Sequence, residues 1–226
     1  MLLDNNCSFI SQFFTEEEVQ QIHSEAKNLP LDSGKVGMKA SADPDGEEIN
    51  GNLVNQTIRK SDIKWFTKER PMSPNLVEKI HQGVGDVVAA NGWEEWEYEY
   101  LEDLQYTIYN HRPDGTKGDF YTWHTDAVFK QYGDKQRKLS FSLQLSSPDD
   151  YEGGAFEYID AHKTFDRLVP NQKTLQLDDI VKSLPFSAKE KGTIIVFPSH
   201  VHHQVKPVTH GTRISLVGWM VGKNWK

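Results

Sequence analysis

A histidine and an aspartate lie two positions apart in the segment 121–126, which reads Tyr-Thr-Trp-His-Thr-Asp. Residues two apart in an extended strand point to the same side, so His124 and Asp126 could share one metal ion. With nine histidines and 17 aspartates in the chain, such a pair arises by chance about as often as not. The pair alone favours a surface turn, and a metal site needs a third ligand.

A candidate third ligand lies in a histidine-rich segment at 200–205, which reads His-Val-His-His-Gln-Val. Two histidines and one carboxylate form a facial set that leaves positions open on a non-haem Fe(II). Strand alternation puts His202 and His203 on opposite faces, so only one of them can join the earlier pair. The pattern of residue types leaves open which of the two it is.

Arg213 lies ten positions after His203, at the start of an apolar run. Arginine is scarce in this chain, with six residues against 19 lysines, so an arginine inside a predicted strand is informative. A buried guanidinium needs a carboxylate partner, from the protein or from a ligand. Bidentate binding of a ligand carboxylate and a structural ion pair are both open interpretations.

Two amphipathic helices are predicted in the first part of the chain. The first begins at Thr15, which forms a capping box with Glu18. The second begins with Pro74 at its first position and ends at Gly92. Each has apolar residues at helical spacing and needs a surface to cover them. The segment 31–57, rich in Gly, Asp, Asn and Ser, is predicted to be a long loop.

After residue 92 the apolar period changes from that of a helix to the period of 2 that is typical of strands. Strand-like runs lie at 139–145, 155–159, 174–177, 193–197, 201–205 and 214–220. Short strands separated by Gly, Pro and Asp turns are typical of a sandwich or barrel. The predicted fold class is therefore mostly β, with two supporting helices.

The composition excludes several classes of protein. A length of 226 residues fits one domain spanning 1–226. The formal charge of −8 argues against nucleic-acid binding, which needs a basic face. No apolar run is long enough for a transmembrane helix, and the first residues lack a signal-peptide pattern, so no membrane association is expected. The single cysteine excludes an intrachain disulfide, and a reduced, cytoplasmic setting is expected.

Three motifs occur in an order that resembles the Fe(II)/2-oxoglutarate-dependent dioxygenases. They are His-x-Asp from His124, a Gly-Gly turn at 153–154, and His-x-Val-x-Pro-Val-x-x-Gly-x-Arg from His203. Within these enzymes the chain looks most like the prolyl-4-hydroxylase-like branch, which includes bacterial and phage peptidyl hydroxylases. The resemblance covers about residues 95–222, and the segment 59–65 is similar more loosely.

The resemblance implies a double-stranded β-helix, or jelly-roll, over 93–226, with 1–92 as a helical support region. It implies that His124, Asp126 and His203 hold Fe(II), because only His203 fits the motif's register. It further implies that 2-oxoglutarate chelates the metal, that O2 is the co-substrate, and that ascorbate can act as a reductant. Succinate and CO2 would be released. Under this interpretation Arg213 binds the far carboxylate of 2-oxoglutarate.

Three more residues are candidate contacts to 2-oxoglutarate. Ser215 lies two positions after Arg213, on the same strand face, and resembles the serine of an Arg-x-Ser variant in related oxygenases. Tyr109 corresponds to a family tyrosine that reaches 2-oxoglutarate. Gln144 falls where related hydroxylases often have a tyrosine, and its amide could donate a similar bond. A core-facing polar residue is the other interpretation of Gln144.

The substrate side is predicted from two aromatic residues. Tyr121 lies three positions before the first metal ligand, and packing in a β core is its alternative role. Trp219 lies six positions after Arg213, where nucleic-acid demethylases of this class place a second arginine, which argues against a nucleic-acid substrate. The segment 161–191 resembles an insertion and is expected to cover the mouth of the site.

The resemblance leaves the substrate open. The leading hypothesis is hydroxylation of a prolyl or similar residue in a peptide or protein. A free amino acid or small metabolite is the first alternative, since one fold hosts many substrates. A non-catalytic, metal-binding jelly-roll is an alternative from a different class of protein.

Overall fold

Two antiparallel sheets face each other in the computed structural model, which describes residues 1–4, 6–34, 57–93, 97–112, 117–127, 134–160 and 180–224. The helices are α1 (Glu16–Ala26) and α2 (Pro74–Asn91). The strands, in chain order, are β1 (Ser8–Ile10), β2 (Asp32–Ser33), β3 (Arg59–Lys60), β4 (Asp62–Phe66), β5 (Tyr100–Leu101), β6 (Leu104–Asn110), β7 (Phe120–His124), β8 (Lys135–Gln144), β9 (Tyr151–Gly153), β10 (Phe156–Ile159), β11 (Val181–Ser183), β12 (Ile194–Pro198), β13 (His203–Val205) and β14 (Val208–Lys223).

The larger sheet follows the order β1-β12-β8-β14-β6-β4-β2, and β5 and β9 also pair with β14. The smaller sheet has the order β11-β10-β13-β7-β3. Neighbouring strands run antiparallel, as in the pairs β8–β14 and β7–β13. Two facing antiparallel sheets of this kind form a jelly-roll. The predicted fold class is therefore confirmed.

Both predicted helices are present, with the expected ends. The side chain of Thr15 accepts a hydrogen bond from the Glu18 backbone, and the Glu18 side chain accepts one from the Thr15 backbone, which completes the capping box. Helix α2 has Pro74 at its first position. It ends at Gly92, whose φ of 66° is the left-handed conformation that glycine adopts readily.

The helices pack on the outer face of the larger sheet. Their apolar residues share one core with alternate residues of β8 and β14, such as Leu139, Phe141, Leu143, Leu216 and Met220. This face of the sheet is therefore covered by helices, and the other face is turned toward the smaller sheet.

Gly83 of α2 is explained by the packing of this layer. A Cβ at this position would lie 2.8 Å from the ring of Phe13, so a side chain would fit only if that ring moved. Gly85 has no such neighbour, because nothing lies within 4 Å of the point that a Cβ would occupy there. Packing thus accounts for the glycine at position 83 but not for the one at position 85.

The region before residue 93 supplies strands as well as helices. Strand β1 pairs with β12 at one edge of the larger sheet, and β4 pairs with β6 near the other edge. Strand β3 pairs with β7 of the smaller sheet. Both sheets therefore draw on residues from either side of the predicted boundary at residue 93.

Several sequence predictions fall outside the described residues. They are most of the loop at 31–57, the strand at 174–177 and most of the insertion at 161–191. The described end of the insertion contains β11 and a short 3-10 helix, Phe186–Lys189. Neither α1 nor α2, nor any other described helix, has the length and apolar character needed to cross a membrane.

Candidate metal centre and its cavity

Three predicted ligands meet where β7 and β13 run side by side in the smaller sheet. His124 is the last residue of β7, and it lies directly opposite His203, the first residue of β13. Their ring centroids are 4.1 Å apart. Asp126 follows β7, where its backbone N–H donates to the carbonyl of Ser199 at 2.9 Å. The antiparallel register therefore brings together residues that are about 80 positions apart in the chain.

Backbone carbonyls fix the orientation of both imidazoles. The Nδ1 atom of His124 lies 2.7 Å from the carbonyl oxygen of Thr122, and that of His203 lies 3.0 Å from the oxygen of Val201. A carbonyl oxygen only accepts, so each Nδ1 carries the proton and each Nε2 keeps a lone pair. The two Nε2 atoms face Asp126, each 3.7 Å from one of its carboxylate oxygens. Metal-binding histidines are commonly oriented by such a bond from the other ring nitrogen.

Asp126 gives the clearest indication that this site suits a cation. Its carboxylate is buried, and its Oδ2 atom has no hydrogen-bond partner among the described residues. A buried carboxylate oxygen without a donor costs free energy, so the site favours the binding of a cation. One ligand atom from each of His124, Asp126 and His203 lies within 4.8 Å of the others. Two imidazole nitrogens and one carboxylate oxygen fit a non-haem Fe(II) with open positions.

The protonation states suit metal binding. Burial, helped by the neighbouring His203, lowers the pKa of His124 to about 3, so this imidazole stays neutral. Burial acts to raise the pKa of Asp126, but the adjacent His203 and His124 outweigh it and hold the pKa below its usual value. His124 and Asp126 could therefore bind a metal ion at neutral pH without first losing a proton.

Arg213 lies on the larger sheet and is 2% exposed. One terminal nitrogen donates to Oε1 of Gln144 at 2.9 Å, and the other donates to the hydroxyl of Ser215 at 3.4 Å. The guanidinium lies over the ring of Tyr109, 5.5 Å from its centroid. Within the described ranges no carboxylate comes within 4.0 Å of Arg213. A buried cation surrounded by neutral partners leaves a ligand to supply the carboxylate.

One cavity of about 380 Å3 between the two sheets contains both features. The three candidate metal ligands line it together with Tyr109, Tyr121, Arg213, Ser215 and Trp219. A volume of this size accepts a small molecule and part of a second one. The predicted site residues are therefore gathered in one space, with Gln144 as the exception.

A family model described as the 2OG-Fe(II) oxygenase superfamily matches residues 104–221, which is more than half of the chain. The chain belongs to the 2OG-Fe(II) oxygenase superfamily. The match includes the three candidate ligands and Arg213, so the resemblance based on the motifs is confirmed. Fe(II) and 2-oxoglutarate are the cofactors of this superfamily, and the donor set found here fits them.

Curated relatives named PKHD-type hydroxylases match part of this chain. A PKHD-type hydroxylase of Synechococcus sp. (strain CC9902) is 35% identical over 103 residues, 46% of this chain and 36% of that protein. One of Prochlorococcus marinus is 36% identical over 105 residues, 46% of this chain and 38% of the relative. The matches thus span little more than a third of the length of these relatives.

Solved structures share the fold at low sequence identity. A Pseudomonas putida prolyl-4-hydroxylase is 18% identical with a TM-score of 0.60, covering 97% of this chain and 94% of that chain. The viral collagen prolyl hydroxylase of Paramecium Bursaria Chlorella virus-1, in its 2OG complex, is 17% identical with a TM-score of 0.57, covering 96% of each chain. These comparisons support the jelly-roll assignment.

The neighbouring histidines take different positions, as strand alternation predicts. His203 is buried among the candidate ligands, whereas His202 is exposed. Gln144 lies behind Arg213 and is not part of the main cavity lining. Its amide oxygen accepts from Arg213 and its Nε2 donates to Ser142 at 3.1 Å. A direct contact from Gln144 to 2-oxoglutarate remains a prediction.

Of the two substrate-side aromatic residues, Tyr121 lies beside the metal centre and Trp219 lies on the larger sheet. The Tyr121 ring stacks on His124 with centroids 3.4 Å apart. Trp219 lies against Arg137, whose guanidinium carbon is 3.8 Å from the Trp219 ring centroid. The Trp219 indole nitrogen is buried and has no hydrogen-bond partner among the described residues.

Sequence reasoning missed several residues that line the cavity. They include Arg59, Trp65, Gln105, Thr107 and Arg137. A signal existed for Gln105 and Thr107, because period 2 places them on the same face of β6 as Tyr109. The scarcity of arginine was a weaker signal for Arg59 and Arg137.

Proposed function

We propose that this chain is an Fe(II)- and 2-oxoglutarate-dependent hydroxylase acting on a prolyl or similar residue of a peptide or protein. One observation carries the proposal: a His-Asp-His set, in which Asp126 and His203 are buried and one carboxylate oxygen is unsatisfied, shares a cavity with a buried arginine that has no carboxylate beside it among the described residues. A cation and a dianion would satisfy both groups at once. Bound Fe(II) and 2-oxoglutarate, reacting with O2, supply the oxidising power to hydroxylate a C–H bond, with succinate and CO2 as products.

The chain's own residues would hold these groups in place. His124 and His203 would bind Fe(II) through Nε2, and Asp126 through its carboxylate. Arg213 would bind the far carboxylate of 2-oxoglutarate with its planar fork, and Ser215 would add a hydroxyl. Because Gln144 already holds the guanidinium, little side-chain freedom is lost on binding.

Tyr109 would assist as a neutral donor. Burial raises the pKa of its phenol, so the hydroxyl keeps its proton through the neutral pH range. Its backbone lies directly opposite Arg213 in the pairing of β6 with β14. A carboxylate bound at Arg213 would therefore lie within reach of Tyr109.

The aromatic wall supports a prolyl or similar group as the target. Tyr121, Trp65 and Trp219 line the cavity, and their faces suit the apolar ring of proline. The indole N–H of Trp219, which has no partner in the part of the chain that the structure describes, would find an acceptor in a peptide carbonyl. The names of the relatives, PKHD-type hydroxylase and prolyl-4-hydroxylase, point the same way. A free amino acid is the second candidate substrate, favoured by the charge of Arg59 in the cavity wall.

The test is oxygen-dependent turnover by the purified chain with Fe(II) and 2-oxoglutarate. Succinate release and +16 Da products would be measured over a panel of proline-containing peptides, free amino acids and small metabolites. A hydroxylated peptide product supports the leading proposal, and a hydroxylated free amino acid supports the second candidate. Metal binding with no succinate under any condition would instead indicate a non-catalytic metal-binding protein.

A further inference from the structure

The Gly-Gly turn at 153–154 lies where the chain crosses from one sheet to the other. Before it, β9 pairs with β14 of the larger sheet, and after it, β10 pairs with β13 of the smaller sheet. A second crossing runs beside it, because β13 leads into β14 through only Lys206 and Pro207. The backbone N–H of Gly154 donates to the carbonyl of Pro207 at 3.0 Å, and that of Lys206 donates to the carbonyl of Ala155 at 2.9 Å. Hydrogen bonds therefore tie the two crossings together.

These paired crossings connect the two halves of the site. Strand β13 begins with the candidate ligand His203, and β14 carries Arg213. The segment between them therefore sets how the wall with the metal ligands lies relative to the wall with the guanidinium. The turn itself is sharp, with φ values of 74° at Gly153 and 55° at Gly154, which glycine adopts far more readily than other residues.

Gly154 packs directly against the stem of Arg213. A Cβ at position 154 would lie 2.9 Å from Cδ of Arg213 and 3.2 Å from both the Tyr151 ring and Val208. Gly154 is buried and lines a small cavity of about 20 Å3 together with Gln144 and Arg213, whereas it does not line the main cavity. It therefore supports Arg213 from the side that faces away from the metal centre.

The head of Arg213 is held as well as its stem. Its terminal nitrogens donate to Oε1 of Gln144 at 2.9 Å and to the hydroxyl of Ser215 at 3.4 Å. Gly154 lies behind the stem, and its hydrogen bond to Pro207 keeps the turn from moving away. A guanidinium held at both ends has little freedom to follow a ligand of a different length. Its distance from the metal ligands is therefore set by the fold.

We propose that Gly154 is a positioning residue that sets how far Arg213 extends toward the metal centre, and thereby the length of the dicarboxylate that binds. This inference rests on the proposed function, in which the metal binds one end of 2-oxoglutarate and Arg213 binds the other. Because the two ends are held at a fixed separation, 2-oxo dicarboxylic acids that are one carbon shorter or longer should bind less well. A side chain at position 154 should change which length is preferred.

Gly154→Ala gives the effect a direction. The new methyl group would press on Cδ of Arg213 from the side away from the main cavity, so the guanidinium moves into that cavity, toward the metal centre. The separation of the two binding groups then becomes shorter. The affinity for 2-oxoglutarate should fall by about 10-fold or more, that for the longer 2-oxoadipate should fall further, and that for the shorter oxaloacetate should fall least.

The experiment measures the binding of these three acids. The full chain is loaded with Co(II), and each acid is titrated in the absence of oxygen while the visible spectrum of the cobalt is followed. The parent protein should bind 2-oxoglutarate at least about 10-fold more tightly than either other acid. In Gly154→Ala the ratio of the oxaloacetate dissociation constant to that of 2-oxoglutarate should fall by about 10-fold. Equal binding of all three acids by the parent, binding of none, or a ratio that Gly154→Ala leaves unchanged would overturn the proposal.

Two further variants separate positioning from backbone strain. Gly92→Ala is the matched control, because Gly92 has a similar φ of 66° at the end of α2 but lines neither of these cavities. It should lower the melting temperature while all three dissociation constants stay within about twofold of the parent values. Gly154→Asn adds the same Cβ, and asparagine adopts this φ more readily than alanine, so it serves if Gly154→Ala does not fold. A changed length preference in Gly92→Ala, or an unchanged one in Gly154→Asn, would contradict the positioning role.

The titrations also separate this inference from the proposed function, because binding requires no turnover. Selective binding that Gly154→Ala shifts supports the positioning role even if no compound is hydroxylated, in which case the proposed function fails. Hydroxylation of a peptide by a chain whose length preference does not depend on position 154 supports the proposed function and overturns the positioning role.

Discussion

The two faces of the larger sheet differ in chemistry although the same strands build both. On β14, Leu216 and Met220 pack in the core beneath the helices, whereas Arg213, Ser215 and Trp219 line the cavity. The difference follows from the period of 2 along a strand, which sends successive side chains to opposite faces. Adjacent residues therefore serve different ends, one stabilising the fold and the next binding ligand.

Buried polar groups around the cavity cost stability, whereas the apolar cluster under the helices provides it. Around the cavity, the Oδ2 atom of Asp126 and the indole nitrogen of Trp219 lack partners among the described residues. Such groups cost free energy until a ligand satisfies them. On the helix side, Leu216 and Met220 are completely buried in an apolar cluster. Substitutions should therefore separate into those that affect ligand binding and those that affect unfolding.

The largest expected effect is on metal binding at the neighbouring pair of histidines. His203→Ala should abolish Fe(II)-dependent succinate formation and metal binding, because it removes one of three ligands, while the melting temperature stays close to that of the parent. His202→Ala should keep both, since His202 is exposed. Anaerobic metal titration measures the metal affinity of each variant, and a thermal melt measures its melting temperature. Loss of binding in His202→Ala with retention in His203→Ala would place the ligand one position earlier.

The second effect is on 2-oxoglutarate. Arg213→Ala removes two charge-assisted hydrogen bonds of about 1.5–3 kcal/mol each, so the dissociation constant should rise by roughly 10²-fold or more. Arg213→Lys should be intermediate because it lacks the fork. Metal affinity should change little, since Arg213 is not a ligand. Titration of 2-oxoglutarate into the metal-loaded variants measures this, and an unchanged constant would reduce Arg213 to a structural role.

The third effect compares two adjacent residues on opposite faces. Leu216→Ala leaves a cavity under the helices and should lower the free energy of unfolding by about 2–5 kcal/mol, with 2-oxoglutarate affinity unchanged in the folded protein. Ser215→Ala should do the reverse, weakening 2-oxoglutarate binding by a few fold (about 1 kcal/mol) with little effect on unfolding. Urea denaturation and ligand titration give the free energy of unfolding and the dissociation constant for 2-oxoglutarate of each variant. The two-face account is refuted if both variants lose stability and affinity together.

The smallest effects are expected within α2. Gly85→Ala should stabilise the protein by about 0.5–1 kcal/mol, because alanine is the better helix former and nothing lies near the new methyl group. Gly83→Ala should destabilise it by about 1–3 kcal/mol, because its Cβ meets the ring of Phe13. Denaturation midpoints of the two variants decide the signs. Stabilisation by both would mean that Phe13 moves aside at little cost.

The sequence predicts the parts of this molecule that are set by local rules. The caps at Thr15 and Gly92 mark helix ends because they satisfy backbone groups within one turn. Alternation along β14 likewise predicts that Arg213 and Ser215 share a face. The motif order then identifies His203, and the structure buries it while leaving His202 exposed.

The parts that could not be predicted depend on strand pairing between distant segments. Arg59 reaches the cavity because β3 pairs with β7, but β3 has only two residues and shows no period of its own. Arg137 faces the cavity because of its register against β14, which shifts between Met220 and Val221. A one-residue slip would turn such a side chain to the other face, and no local pattern excludes it.

The place of β14 also has a consequence for the order of synthesis. This strand of 16 residues pairs with β5, β6, β8 and β9, all of which precede it in the chain. On the ribosome these strands emerge first and have no central strand to join, so the larger sheet stays open until β14 follows. Such long-range pairing is slow to form. We therefore expect a nascent chain to need protection of its unpaired strand edges, and to gain affinity for 2-oxoglutarate only when Arg213 arrives with the strand that closes the sheet.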